Sequence, residues 1–98
     1  MDMNREEALT ELRAHTDEIK RFGVKSLGLF GSVARNEAGP ESDLDLVVEF
    51  EGAATYDRYI GLKMLLEDVL GSGVDLVTSR AIKPRMRPSV ERDTVRVA

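Results

Sequence analysis

Three aspartates and a Gly-Ser pair are the residues of this 98-residue chain whose types and spacing could do chemistry. Asp43 and Asp45 open the apolar run DLDLVVEF (43–50). On a strand alternate side chains share a face, so both carboxylates project to one side, roughly 6.5–7 Å apart along the chain, while Leu44 and Leu46 point to the other. Two carboxylates held this close disfavour each other's ionisation unless a cation is present. Mg²⁺ suits the arrangement, because it takes one or two carboxylates together with water and substrate phosphates. Two such ions, roughly 3.5–4 Å apart, clamp the attacking and leaving oxygens of a phosphoryl displacement. Asp75, early in the apolar run GVDLV, repeats the pattern. If the strands over 43–50 and 74–78 are neighbours, it joins Asp43 and Asp45 as a third carboxylate.

The other half of such a site is an anion cradle. Gly31 follows the apolar run VKSLGLF (24–30) and allows both a sharp turn and a close ligand approach. Ser32 adds a hydroxyl at the start of a short helix over 32–38, whose free N–H groups favour phosphate. Arg35, one turn on, can reach an anion. Alone, a Gly-Ser is ordinarily a turn and an Asp-x-Asp ordinarily a solvated strand edge. Gly-Ser after a strand, ten intervening residues, Asp-x-Asp opening a second strand and an Asp in a third together specify a metal–phosphate site.

The elements that must position these residues follow from periodicity. Residues 4–22 predict an amphipathic helix with Ala8, Leu9, Leu12, Thr16, Ile19 and Phe22 on its apolar face, capped by Asn4 and stopped at Gly23. Strands are predicted over 24–30, 43–50 and 74–78, with loop composition at 38–42. Thr55 caps a second helix over 56–70. Pro84 suits the first turn of a last helix near 84–92, and 94–97 is a short final strand. The alternation gives an α/β (α+β) domain, 1–98, with a minimal sheet of three or four strands and helices packed on it.

Composition narrows the function classes. With no cysteine, disulfides, thiolate metal sites and cysteine nucleophiles are excluded. No apolar run reaches the ~20 residues of a membrane span, and the N-terminus lacks a signal-peptide pattern, so a cytoplasmic protein without membrane contact is expected. A net charge of −4 argues against a general DNA-binding surface. The charge is uneven: ten acids stand against Arg58 and Lys63 between positions 37 and 75, and six basic residues against Glu91 and Asp93 between 79 and 98.

The spacing Gly31-Ser32, ten residues, Asp43-Leu44-Asp45 resembles the nucleotidyltransferase signature of the DNA polymerase β superfamily. The chain's size and its run LFGSVARNEAGPESDLDLVVEF are similar to the minimal nucleotidyltransferase (MNT) domains, commonly the antitoxin half of HEPN/MNT toxin–antitoxin pairs. The resemblance covers roughly residues 5–92. It implies a polymerase β-like palm fold, two Mg²⁺ ions on Asp43 and Asp45, and Asp75 completing the triad and activating the acceptor hydroxyl. It implies too that Gly31 and Ser32 hold the β and γ phosphates, that ATP is the substrate, and that AMP passes to a tyrosine of a partner HEPN ribonuclease, silencing it. The run departs from the family where members often carry Gly and this chain has Asn36, a residue that tolerates left-handed backbone angles.

Two other functions compete: a non-catalytic antitoxin that covers its partner, and a small-molecule nucleotidyltransferase completed by a partner chain. Little chain remains beyond the catalytic core to build a second substrate pocket, so the acceptor is expected on another protein. His15 is expected to be an ordinary helix residue. Tyr56 and Tyr59 are expected to pack, with a nucleobase contact as the alternative. Arg80, Lys83, Arg85 and Arg87 form a solvated basic face or meet triphosphate or an acidic partner.

Overall fold

The computed structural model describes residues 4–34 and 43–98, with Ser32 and Val33 as backbone. The elements run α1 (Arg5–Ala14), α2 (Thr16–Lys20), β1 (Val24–Phe30), α3 (Gly31–Ala34), β2 (Leu44–Phe50), α4 (Tyr56–Leu70), β3 (Val74–Thr78), 3-10 turns at Ser79–Ala81 and Pro84–Met86, α5 (Arg87–Asp93) and β4 (Val95–Arg96). Four strands form one sheet in the order β3-β2-β1-β4. β1 is antiparallel to both β2 and β4, whereas β2 and β3 are parallel. A parallel pair needs a crossover, and α4 supplies it.

Strand alternation divides the sheet into two faces. Leu27 and Leu29 of β1, Leu44, Leu46 and Val48 of β2, and Val74 and Leu76 of β3 are buried in one core. Ala8, Leu9, Leu12 and Ile19 from the first two helices and Leu62, Leu66 and Leu70 from α4 fill it from the other side. Every buried side chain among the described residues is apolar. The opposite face carries Asp45, Val47 and Glu49 of β2 and Asp75 of β3, and α5 packs over part of it.

The expected helix over 4–22 is two helices. His15 breaks it with φ −113° and ψ 22°. Its Nδ1 lies 2.9 Å from the Glu11 carbonyl, and the Thr16 hydroxyl donates to the Arg13 carbonyl at 2.8 Å. Side chains thus bond the carbonyls near this break, and the chain turns before Ile19 rejoins the core. Asn4 caps α1 as expected, its side chain accepting from the Glu7 N–H at 2.9 Å. The last helix begins at Arg87, because Pro84 sits in a 3-10 turn and Pro88 falls in the first turn of α5, where its missing N–H costs nothing. The final strand is in register with β1 at Val95 and Arg96, and the N–H groups of Val97 and Ala98 also donate to the Leu27 carbonyl, at 2.8 and 3.2 Å. Arg35, Asn36 and the 38–42 loop lie outside the described residues.

Candidate active site

The parallel register of β2 and β3 pairs Asp45 with Asp75. Adjacent strands are about 4.8 Å apart, so the two carboxylates are neighbours on the face opposite the leucine core. Asp45 is half-buried and Asp75 exposed. On its other side Asp45 is paired with Phe30, the last residue of β1. The chain turns immediately afterwards at Gly31, with φ +74°. A Cβ on Gly31 would overlap the Asp45 Oδ2 and stand 2.9 Å from its Cγ. The turn therefore rests directly on the carboxylate, and both its backbone angle and the space demand glycine.

Asp43 lies just before β2 and is exposed. Its Oδ1 would be 2.7 Å from a Cβ on Gly73, and the Leu44 N–H donates to the Gly73 carbonyl at 3.1 Å. Asp43, Asp45, Asp75 and Gly31 thus collect at one end of the sheet, where β2 and β3 begin and β1 finishes. Among the described residues, no three His, Cys, Asp or Glu side chains close into a ready cage for one ion. Backbone register keeps Asp45 and Asp75 adjacent. Ser32 follows Gly31 in α3, and Arg35 lies outside the described residues.

The remaining candidates fall elsewhere. His15 marks the break between α1 and α2 on the helical layer. The Tyr59 hydroxyl donates to the Leu76 carbonyl, tying α4 to β3, so this tyrosine packs as expected. Tyr56, expected to pack, is instead 75% exposed, because it stands at the solvent-facing start of α4. Arg80, Lys83, Arg85 and Arg87 are exposed, and the Arg87 Nη2 donates to the Ser79 carbonyl at 3.1 Å.

Sequence reasoning missed a cavity of about 330 Å³ between the sheet and α5, lined among others by Gly28, Val47, Val90 and Thr94. A signal for it was present. Gly28 interrupts the apolar half of its strand, residues 27–30, and a glycine there marks a close approach. A Cβ on Gly28 would overlap the Thr94 methyl.

The arrangement sets hard oxygen donors beside a glycine turn, chemistry suited to a cation and a phosphate. The family model for the nucleotidyltransferase domain matches residues 12–97. The protein adenylyltransferase MntA of Thermococcus cleftensis is 41% identical over 93 residues, covering 94% of each chain. A solved structure described as a minimal nucleotidyltransferase superposes with a TM-score of 0.84 at 40% identity, covering 95% of each chain. A tri-AMPylated Shewanella oneidensis HEPN toxin in complex with its MNT antitoxin matches with a TM-score of 0.64 at 19% identity, over 92% of this chain and 71% of that one, a likeness of fold alone. The paired aspartates and the glycine turn that rests on Asp45 are thus found in a chain that belongs to the nucleotidyltransferase domain family.

Proposed function

We propose that this protein transfers AMP from ATP to a tyrosine hydroxyl of a partner HEPN toxin and acts as its antitoxin. The observation that carries the reading is the in-register pair Asp45–Asp75 beside the Gly31 turn. The name of the 41%-identical relative, a protein adenylyltransferase, supports the same transfer.

Gly31 and Ser32 would receive the β and γ phosphates through backbone N–H groups, with Arg35 as a further anion contact. The acceptor oxygen attacks the α-phosphorus, the bond from that phosphorus to the bridging oxygen breaks, and pyrophosphate leaves. Asp75 would draw the proton from the acceptor hydroxyl, a role that its exposure on the outer strand supports. Asp45, held by its half-buried position, fixes the reacting phosphate's surroundings. The oxygen-donor chemistry of Asp43, Asp45 and Asp75 would suit Mg²⁺, which as two ions in this reading would supply neutralisation of the phosphate charge.

The test is incubation of the purified protein with Mg²⁺, ATP and the partner toxin, read by intact mass. The expected result is addition of AMP units to the toxin, lost in Asp43→Ala. No mass increase, with wild type and Asp43→Ala alike, would overturn the reading. If Asp43→Ala/Asp45→Ala still neutralised the toxin at normal expression, a binding antitoxin would replace it. Nucleotide transfer to an aminoglycoside by the isolated chain would favour a small-molecule enzyme.

A further inference from the structure

The cavity under α5 lies on the same sheet face as the aspartates. Its floor contains Gly28 and Val47, and these two residues are register partners. Val47 is two residues beyond Asp45 on β2, roughly 7 Å along the strand, with its side chain on the same face. Three features therefore follow one another down the sheet: the Gly31 turn, the Asp45–Asp75 pair, and the cavity. A nucleoside triphosphate has the same linear order of terminal phosphates, α-phosphate, then ribose and base.

We propose that this cavity receives the nucleobase, with the ribose bridging to Asp45; the inference rests on the nucleotidyltransferase reading above. Its size, about 330 Å³, lies at the lower end of small-molecule pockets. Val47, the Thr94 methyl that covers Gly28, and the Val90 side chain offer apolar contact to a ring. Charged groups stand at its rim. Glu49 pairs with Lys25 at 3.7 Å and presents a carboxylate acceptor, and Arg87 is anchored to the Ser79 carbonyl. An acceptor such as Glu49 favours a base carrying an exocyclic amine, as adenine does.

The alternative occupant is the acceptor side chain, and the fold disfavours it. A tyrosine arrives on the backbone of another protein, whereas the cavity has sheet on one side and the segment 79–94 on the other. A base is the end of its molecule and needs no way out for a chain. Gly28 serves the same architecture: any side chain there would overlap Thr94 and lift the segment that completes the pocket.

The test compares two ligands with Mg²⁺ by calorimetry, in the absence of partner: α,β-methylene-ATP, which cannot release pyrophosphate, and inorganic tripolyphosphate, which has no nucleoside. Val90→Trp fills the cavity from the α5 side. It is expected to weaken α,β-methylene-ATP by at least about tenfold and to change tripolyphosphate by less than about twofold. Amide resonances of Gly28, Val47 and Val90 in the wild-type protein provide a second readout that needs no variant. They are expected to shift with α,β-methylene-ATP and not with tripolyphosphate. If the wild type binds both ligands but these amides stay still, or move equally with both, the cavity is not the base site and the nucleotidyltransferase reading survives. Unchanged α,β-methylene-ATP affinity in a folded Val90→Trp has the same meaning. If the wild type binds neither ligand, both readings fall together.

Discussion

Asp75 faces Asp45 across a parallel strand pair, and that placement trades stability for charge. Like charges directly opposite on neighbouring strands destabilise a sheet by about 0.2–1 kcal/mol. Asp75→Asn keeps the shape and removes one charge. In EDTA it is therefore expected to melt at the wild-type temperature or up to several degrees higher, since about 1 kcal/mol moves Tm by roughly 4–8 °C in a domain of this size. With Mg²⁺ the order reverses: wild type gains stability, and Asp75→Asn gains less. AMP transfer by the variant should fall by at least about 10²-fold, the scale of losing one electrostatic partner at a reacting centre. Calorimetric melting with and without Mg²⁺, beside a transfer assay, checks both halves; a variant destabilised in EDTA would refute the repulsion. Gly31 makes the complementary case. Alanine there must hold φ near +74° and push into Asp45. Gly31→Ala should cost about 1–3 kcal/mol by denaturant unfolding. Its transfer activity, measured where the variant is fully folded, should fall further than that loss explains, because the carboxylate itself is displaced.

At the scale of elements, α4 connects β2 to the strand that carries Asp75, so the site depends on how that helix docks. Leu62 and Leu66 are wholly buried on its inner face, and Thr55 caps it, its hydroxyl accepting from the Arg58 N–H at 3.3 Å. Leu66→Ala is expected to lower stability by about 2–5 kcal/mol in urea unfolding. Thr55→Ala should cost about 1 kcal/mol, since it loosens only the first turn. Much of this was legible in the sequence. Leu62 and Leu66 stand at helical spacing, Asn4 and Thr55 are good caps, and the strands over 24–30 and 74–78 lie where apolar runs meet turn residues. The Asp-Leu-Asp alternation predicts a shared face for the acids, but the strand proper starts at Leu44, so Asp43 lies just outside the element whose alternation the prediction used. What could not be read was direction and register. Nothing local to VDLVT says that it runs parallel to β2, or that Asp75 rather than a neighbour stands opposite Asp45, because register is settled by tertiary pairing. The break at His15 was equally hidden. It comes from side chains bonding to nearby carbonyls, a competition that apolar periodicity does not display.

At the scale of the molecule, the acids lie at one end of a thin sheet protein, 34 × 31 × 19 Å, and β3, which carries Asp75, is an edge strand. That edge leaves Asp75 open to a large approaching body. Besides the cavity under α5, a second pocket, of about 40 Å³, is formed near Gly52 and Thr78, at the other end of β2 from Asp45, and is too small for an amino-acid side chain with its backbone. The described residues thus offer the nucleotide a pocket under α5 and the acceptor an exposed carboxylate on an edge strand. At such an edge, orientation comes from surface contacts that the acceptor's own protein brings, and positioning of this kind contributes several orders of magnitude to a bimolecular rate. N-acetyl-tyrosinamide should therefore be a poor acceptor, with kcat/KM at least about 10²-fold below that of a folded partner toxin carrying the same hydroxyl. The discriminating measurement is AMP transfer to the amide, to an unfolded tyrosine peptide of the partner and to the folded partner under one set of conditions. Equal rates on all three would show that the edge of β3 takes no part in recognition. A rate that rises only with the folded partner would place recognition on the surface around Asp75, where substitutions flanking the acids would raise KM and leave kcat nearly unchanged.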